Sequence, residues 1–582
     1  MMKLKKNLSL LCALLLALSG ACLTASAEET LNVEDLYKSR DVRADWSADG
    51  ATVIDLSALE SGSDLTLTEE GDYVLSGEWT GRIVIEAGEE AKLRLILNGV
   101  SINSPAGPAI WEKSADKLIL TLAEGSVNTL TDGAAVAEED ATVAAGIYTE
   151  NDLSVNGSGT LTVTGTAEQG IQCKADLIIA GGDITVSAVN DGIRGNNSVL
   201  LLDGVLTVTA GGDGIVSSKA DKEGKGWIVI AGGTLAVTAG DGVSESAGTS
   251  GFGGRGGWGR GWGDWDTGSS DSDTVSQKGV KAATDLTVLG GSVTLNCTDD
   301  ALHAQNIAVT GGTLNIRTGD DGMHADSDLV ISGGIIDISQ CHEGLEGYNV
   351  TVSGGEIRVV ADDDAVNAAG GNDSSGSVGI WGGRDRFSES NNGSLLTVSG
   401  GTLSLTAGGD GLDSNGSISV TGGVTGVWTA SNGMEGPIDF NGSGSMTGGT
   451  LILASSGMQM GAAATLSGQA MMGVSLSGTQ TAGTVITLKD ANGAVLGSFA
   501  PESSFSQVTV ASSSLGEGSS CEILCGDSAV YSGAVTSNVS SAGGGFGEGR
   551  GGWGAPSDQG AGGFGSPDGQ GGGRGGHGGG RR

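Results

Sequence analysis

Short apolar-x-apolar pairs recur through the middle of the chain on either side of Gly-Gly turns. Leu286/Val288, Ile307/Val309, Leu329/Ile331 and Val350/Val352 precede the turn, and Val293/Leu295, Leu314/Ile316, Ile336/Ile338 and Ile357/Val359 follow it. Alternation at period two predicts strands with one buried face, and β-branched residues suit such a pleated surface. The pairs return about every 21 or 22 residues, which leaves room for only two or three short strands per unit. A period of that length carried by strands predicts one coil of a parallel β-helix, not a hairpin repeat or a helical array. The expected fold is all-β: a parallel β-helix solenoid.

The regularity is clean between residues 147 and 436, about ten coils. Residues 28–146 hold strand-like runs without the period and predict an N-terminal β cap with the first coils. Residues 437–541 predict a C-terminal β-rich cap. Two stretches interrupt the repeat, near 247–273 and near 370–392, and insertions in a solenoid emerge as loops on its flank. Residues 542–582 are Gly-rich low complexity and predict a disordered tail.

Composition refines this picture. With 108 Gly but 6 Pro and no collagen triplet, glycine mostly serves turns, and 4% aromatic residues predict an aliphatic interior. Lys3, Lys5 and Lys6, the apolar run Leu8–Leu18 and Ala25-Ser26-Ala27 make residues 1–27 a signal peptide, so the chain is expected at the cell surface or secreted. Processing as a lipoprotein at Cys22 is the alternative exit. No other stretch is apolar enough to span a bilayer. The net charge of −40 opposes nucleic acid as a partner, and anionic lipid as well, unless a cation intervenes. Cys173, Cys297, Cys341, Cys521 and Cys525 show no framework spacing and read as small core residues.

The repeat also places acids in columns. Asp300, Asp321, Glu343 and Asp364 form one column, with Asp299, Asp320 and Asp363 beside it and His303, His324, Glu346 and Asn367 three residues further on. Gln169, Asp191, Asp213 and Lys278 extend the beat upstream, and Asp410 and Asn432 downstream. Carboxylates stacked at about 4.8 Å repel by roughly 3 kcal/mol per pair at an effective dielectric of about 20. Either some are protonated or a hard cation lies between them, and calcium's bond lengths and loose geometry suit that spacing better than magnesium's. Asp299, Asp300, Asp320, Asp321, Glu343, Glu346, Asp363 and Asp364 are therefore the candidate metal ligands. Asp-Gly pairs are also plain turn formers whose carboxylates bond local backbone, which would make the columns structural. His303 and His324 are candidate zinc ligands, or hydrogen-bonded partners of the neighbouring acids. In the two insertions, Trp258, Trp262 and Trp381 could stack on sugar rings, and Arg384 could pair with a uronate carboxylate.

Leu95-Ile96-Leu97-Asn98-Gly99-Val100, Asn128-Thr129-Leu130-Thr131-Asp132-Gly133 and Gly319-Asp320-Asp321-Gly322-Met323-His324-Ala325, in this order, give the chain a family resemblance. It resembles the secreted clostridial carbohydrate-binding β-helix proteins, over about residues 31–535. The resemblance implies a right-handed parallel β-helix related in shape to pectate lyases, bound calcium, and affinity for cellulose and acidic polysaccharides such as polygalacturonate. It implies calcium at Asp299, Asp300, Asp320 and Asp321. Lys278, where the column turns basic, and the Gly/Trp insertion depart from the family pattern. The expected function is non-catalytic, calcium-dependent binding of plant cell-wall polysaccharide by a monomeric exported protein. A calcium-dependent pectate lyase, with Lys281 or Arg317 as base, and a structural surface adhesin are the alternatives.

Overall fold

The structure, a computed structural model, describes residues 31–138, 142–244, 275–369, 391–430, 436–456 and 466–536, with the backbone of 540–541. The leader with Cys22, the tail 542–582, the insertion at 247–273 and all but 391–392 of the second insertion lie outside these residues. All described residues belong to one compact unit.

Three parallel ladders build the repeat, and each strand pairs with its equivalent one coil away. Val280–Ala282, Asp285–Val288 and Ser292–Cys297 make one coil, and the next coil lays Leu302–Val309 over the first two and Thr313–Thr318 over the third. Parallel pairing starts at Thr52–Asp55 against Gly71–Glu86 and continues to Gly444–Ser455; with the strands that join antiparallel beyond it, the sheet system among the described residues has 35 strands. The apolar pairs that define the repeat point inward: Leu286, Val288, Val293 and Leu295, and their equivalents in the following coils, are buried in one continuous aliphatic core. Cys173, Cys297 and Cys341 lie in that core as free thiols. In the Gly-Gly turns the second glycine takes a positive φ, as at Gly291, Gly312, Gly334 and Gly355, where a Cβ would also crowd the turn one coil below.

Residues 31–46 contribute no strand. Leu31, Val33, Leu36 and Tyr37 pack on Ile178, Leu200, Trp227 and Val229, which face outward from the second ladder. Asp41 anchors the segment, with its buried carboxylate 2.6 Å from Lys117 Nζ and accepting from Ser154 Oγ. At the other end the pairing reverses: Phe505–Ser512 runs antiparallel to Gly444–Ser455, and Met472–Gln480 runs antiparallel to Phe505–Ser512. A four-stranded antiparallel sheet of Ile486–Asp490, Val495–Phe499, Ser520–Cys525 and Ser528–Ala534 packs there around Phe499, Phe505, Leu488 and Ile523, so the last coil does not end in an open edge. Arg358 clasps Glu502 of this cap with two nitrogens.

Candidate functional site

The column that begins the first ladder has a backbone reason to be acidic. At the bend from the third ladder into the first, the amide of the column residue donates not to a carbonyl of the neighbouring coil but to the carboxylate of the preceding coil. Asp191 Oδ1 accepts from Asp213 N at 3.1 Å, Asp213 Oδ1 from Lys278 N at 2.8 Å, Asp300 Oδ1 from Asp321 N at 3.2 Å and Asp321 Oδ1 from Glu343 N at 3.2 Å. Asp364 and Asp410 do the same for the amides of Asp410 and Gly436. Gly436, not Asn432, therefore continues the column; Asn432 lies outside the described residues. Buried amides must be paired, and a charge-assisted bond of this kind contributes about 1.5–3 kcal/mol. Lys278 cannot accept, and in its place Asp299 Oδ1 takes the amide of Asp300 at 2.9 Å. One oxygen of Asp191, Asp213, Asp300, Asp321, Asp364 and Asp410 is thus structural, and chemistry is left to the other.

Three residues on, the first ladder places a second column on the flank in strict register: Gln172, Arg194, Val216, Lys281, His303, His324, Glu346, Asn367 and Asp413. Its cations meet the second oxygens of the acids. Arg194 Nε lies 3.0 Å from Asp191 Oδ2, His303 Nδ1 3.0 Å from Asp300 Oδ2, and His324 Nδ1 3.1 Å from Asp321 Oδ2 and 2.6 Å from Glu346 Oε2. Lys278 Nζ, buried, bridges Asp299 at 2.9 Å and the fully buried Asp300.

Electrostatics follow from these contacts. Burial works against the charge on Lys278, but Asp300 and Asp299 more than offset it and raise its pKa. Burial would push Asp300 up; the His303 hydrogen bond and the Lys278 charge hold it below the usual carboxylate range. Burial would likewise lower His324, yet its bonds to Asp321 and Glu346 push it up to about 11. Glu346 is held low against its burial by the same imidazolium, whereas burial and the charges of Asp300 and Glu346 raise Asp321 well above the ordinary range. Burial and neighbouring acids also raise Glu343 and Asp364. Within the column the stacked carboxylates thus face the Lys278 ammonium and the His324 imidazole.

Donor chemistry separates the candidate ligands. Asp299, Asp300 and Asp320 bring carboxylate oxygens within 4.8 Å of one another, an all-oxygen set that fits calcium, with the Lys278 ammonium standing where a cation would lie. Asp321 and Glu346 converge on His324, and Asp300 also on His303 and His324, whose rings lie 5.0 Å apart. Those nitrogen-containing sets do not fit a cation that selects oxygen. Glu343 is tied to Asn367 Nδ2 at 2.9 Å, and Asp363 lies 3.8 Å from His342 Nε2. A further oxygen-only group, Asp410, Asp413 and Asp439, was missed in the sequence because Asp439 lies outside the 22-residue beat. Its signal was the Asp410/Asp413 spacing, the same i, i+3 step as Asp300/His303.

Trp258, Trp262, Trp381 and Arg384, together with Trp265, Arg255, Arg260 and Arg386, lie outside the described residues. Upstream in the flank column stand Trp111 and Tyr148, in register with each other and with Gln172. Val136 and Val143, from a small hairpin, pack on both rings, which are 3% exposed and so closed to a sugar. A shallow cleft of about 180 Å³ opens beside the column instead, lined by Lys222, Lys225, Trp227, Asp285, Gln305 and Asn306. Of the two bases considered for a lyase, Lys281 stands on the flank, 3.0 Å from Ser276 Oγ and 3.6 Å from Asp213 Oδ2. Arg317 is in the third ladder, where it donates to Gln340 Oε1 at 3.4 Å.

The carbohydrate-binding domain-containing protein family matches residues 61–322. A carbohydrate-binding domain-containing protein of Acetivibrio thermocellus is 37% identical over 220 residues, which covers 37% of this chain and 74% of the relative. The chain belongs to this family. It is also similar, at 26% identity, to a solved polysaccharide lyase-like protein from C. thermocellum in its gadolinium derivative; the match covers 48% of this chain and 96% of that one, with a TM-score of 0.35. Among the described residues of this family member no helix is long and apolar enough to cross a membrane.

Proposed function

We propose that this protein is an exported, non-catalytic binder of plant cell-wall polysaccharide, acidic as in pectate or neutral as in cellulose, acting as a monomer. One observation carries the reading: on a chain of net charge −40, one cleft gathers two lysines and two side-chain amides, Lys222, Lys225, Gln305 and Asn306, beside the acids Glu223 and Asp285. Lys281 and His303 stand in register, and the cleft with Lys222, Lys225, Gln305 and Asn306 adjoins them, since Gln305 follows His303 by two residues on the same strand. Ammonium and imidazole groups suit uronate carboxylates, and side-chain amides suit sugar hydroxyls. Membership of a carbohydrate-binding family supports the same reading.

Calcium enters as a bridging ion. Asp299, Asp300 and Asp320 would hold it once Lys278 yields its place, and a bound dication there would let an acidic polymer approach an acidic surface. Sedimentation with polygalacturonate and with insoluble cellulose, with and without chelator, tests both parts. Retention on either polymer that falls on chelation and in a Lys222→Glu/Lys225→Glu variant is expected. No retention on either polymer in calcium would refute the glycan reading, and retention indifferent to chelator would remove calcium from it.

A pectate lyase is the second reading, because Lys281 stands on the flank with its side chain 34% exposed. Unsaturated uronide absorbance that develops with polygalacturonate and calcium, and disappears in Lys281→Ala, would establish it in place of simple binding.

A further inference from the structure

We infer that the last coils hold a second cation site, built by Asp410, Asp413, Asp439 and Asn367 and suited to calcium or a like hard dication. The three carboxylates bring oxygens within 4.8 Å of one another. They come from two successive coils: Asp410 opens the first ladder strand that holds Asp413, and Asp439 lies beyond it, where Asp439 N bonds the carbonyl of Leu412 at 3.0 Å. Gly436 N occupies one oxygen of Asp410, which fixes that carboxylate in place.

The independent sign of a ligand is Asn367. It is 97% buried, its Cα is in register with Asp413, and its Oδ1 has no hydrogen-bond partner. Its Nδ2 is turned back to Glu343 Oε2 in the preceding coil, so the carbonyl oxygen of the same planar amide is directed away from Glu343, while the backbone of the next coil places Asp413 in register with it. A buried carbonyl oxygen left unsatisfied costs about 1–3 kcal/mol, and a cation at this position would remove that cost. Every donor is an oxygen, in contrast to the imidazole-containing sets around His324. Four protein oxygens leave room for water in a shell of six to eight, typical of calcium and too loose for magnesium. Asp439 is exposed and gives the ion a path from solvent.

The site lies beyond residues 61–322 that match the family, and it rests on donor chemistry alone, not on the reading of the flank as a glycan surface. Calorimetric titration of the full chain with calcium chloride tests it, on wild type and on Asp413→Asn, Asp439→Asn and, as control, the exposed Asp326→Asn. Loss of one bound ion per chain, or affinity weaker by about tenfold or more, is expected in the first two variants and not in the third. Urea midpoints taken in chelator check that all three fold. Both the number of bound ions and their affinity unchanged in Asp413→Asn and in Asp439→Asn, or no calcium bound by wild type at millimolar calcium, would overturn the inference. Polysaccharide sedimentation of the same variants is scored separately: intact calcium binding without glycan retention refutes only the glycan reading, and the converse refutes only this site.

Discussion

The coils from Lys278 to Glu346 and those from Asp364 to Asp439 are cut to one pattern, with a ladder acid capping the next amide and a second polar residue three positions on. In the middle coils the second position is Lys281, His303, His324 and Glu346, and Lys278 stands in the ladder itself, so carboxylates meet ammonium and imidazole groups. In the last coils the second position is Asn367 and Asp413, and oxygens face oxygens. The same backbone need for an acceptor thus yields a stretch with ammonium and imidazole groups among its acids in one region and an all-oxygen group of carboxylates in the other. Fold chemistry sets where the acids stand; the residue three positions on decides what they can bind.

The sharpest way to break this contrast is to remove the internal cation. Lys278→Met leaves the buried Asp300 and its neighbour Asp299 without their ammonium, and breaking one side of a buried pair costs about 3–5 kcal/mol. A urea midpoint lowered accordingly is expected in chelator. If Asp299, Asp300 and Asp320 accept a hard cation, millimolar calcium should recover part of the loss, converting a middle coil into one that depends on an ion. An unchanged midpoint would mean the ammonium does not neutralise the column.

His324 gives the pH dependence. Its folded-state pKa, raised from 6.5 to about 11, means that its contribution is whole below about pH 6.5 and is lost as pH climbs toward 11. Asp321, Glu343 and Asp364, also raised, act in the same direction, since the folded chain holds protons that the unfolded chain has released. Stability should therefore fall between pH 6.5 and 11, and for one proton the slope cannot exceed about 1.4 kcal/mol per pH unit. His324→Gln should flatten the part due to the imidazolium. Equal slopes in both proteins, followed by urea titration across that range, would contradict the His324 assignment.

Next in size is the ladder itself. Asp213→Ala strands the buried amide of Lys278 and should cost about 1–3 kcal/mol, while Asp213→Asn keeps an acceptor oxygen and should cost distinctly less. A loss of the same size in both variants would mean that charge, and not the amide, is what Asp213 serves.

These residues also show what could be read from the sequence. The 22-residue beat and the inward pairs such as Val293/Leu295 gave the coils directly, because a stacked core repeats its chemistry with its geometry. The columns were legible for the same reason. What the beat could not show was a contact that leaves it. Lys278 read as a departure from the column, yet it is the cation that neutralises Asp299 and Asp300. Asp321 and Glu346 read as calcium ligands because nothing in the spacing shows that His324 Nδ1 lies within reach of both. Asp439 arrives from a bend outside the period, and the cover of Val136 and Val143 over Trp111 and Tyr148 comes from a hairpin, so neither left a periodic trace.

The smallest expected effect separates the two regions most cleanly. Asp439 is exposed, caps no amide of the ladder and lies in the oxygen-only group. In chelator, Asp439→Asn should shift stability by no more than about 0.5 kcal/mol, as surface substitutions usually do. In calcium the two proteins should part, because an ion that binds only the folded state raises the melting temperature with its concentration. Wild type should gain that increase and Asp439→Asn should lose most of it, whereas Asp326→Asn, an exposed acid beside His324 in the middle coils, should gain as much as wild type. A calcium shift that vanishes in Asp326→Asn and persists in Asp439→Asn would place the ion among the imidazoles and reverse the contrast between the two regions.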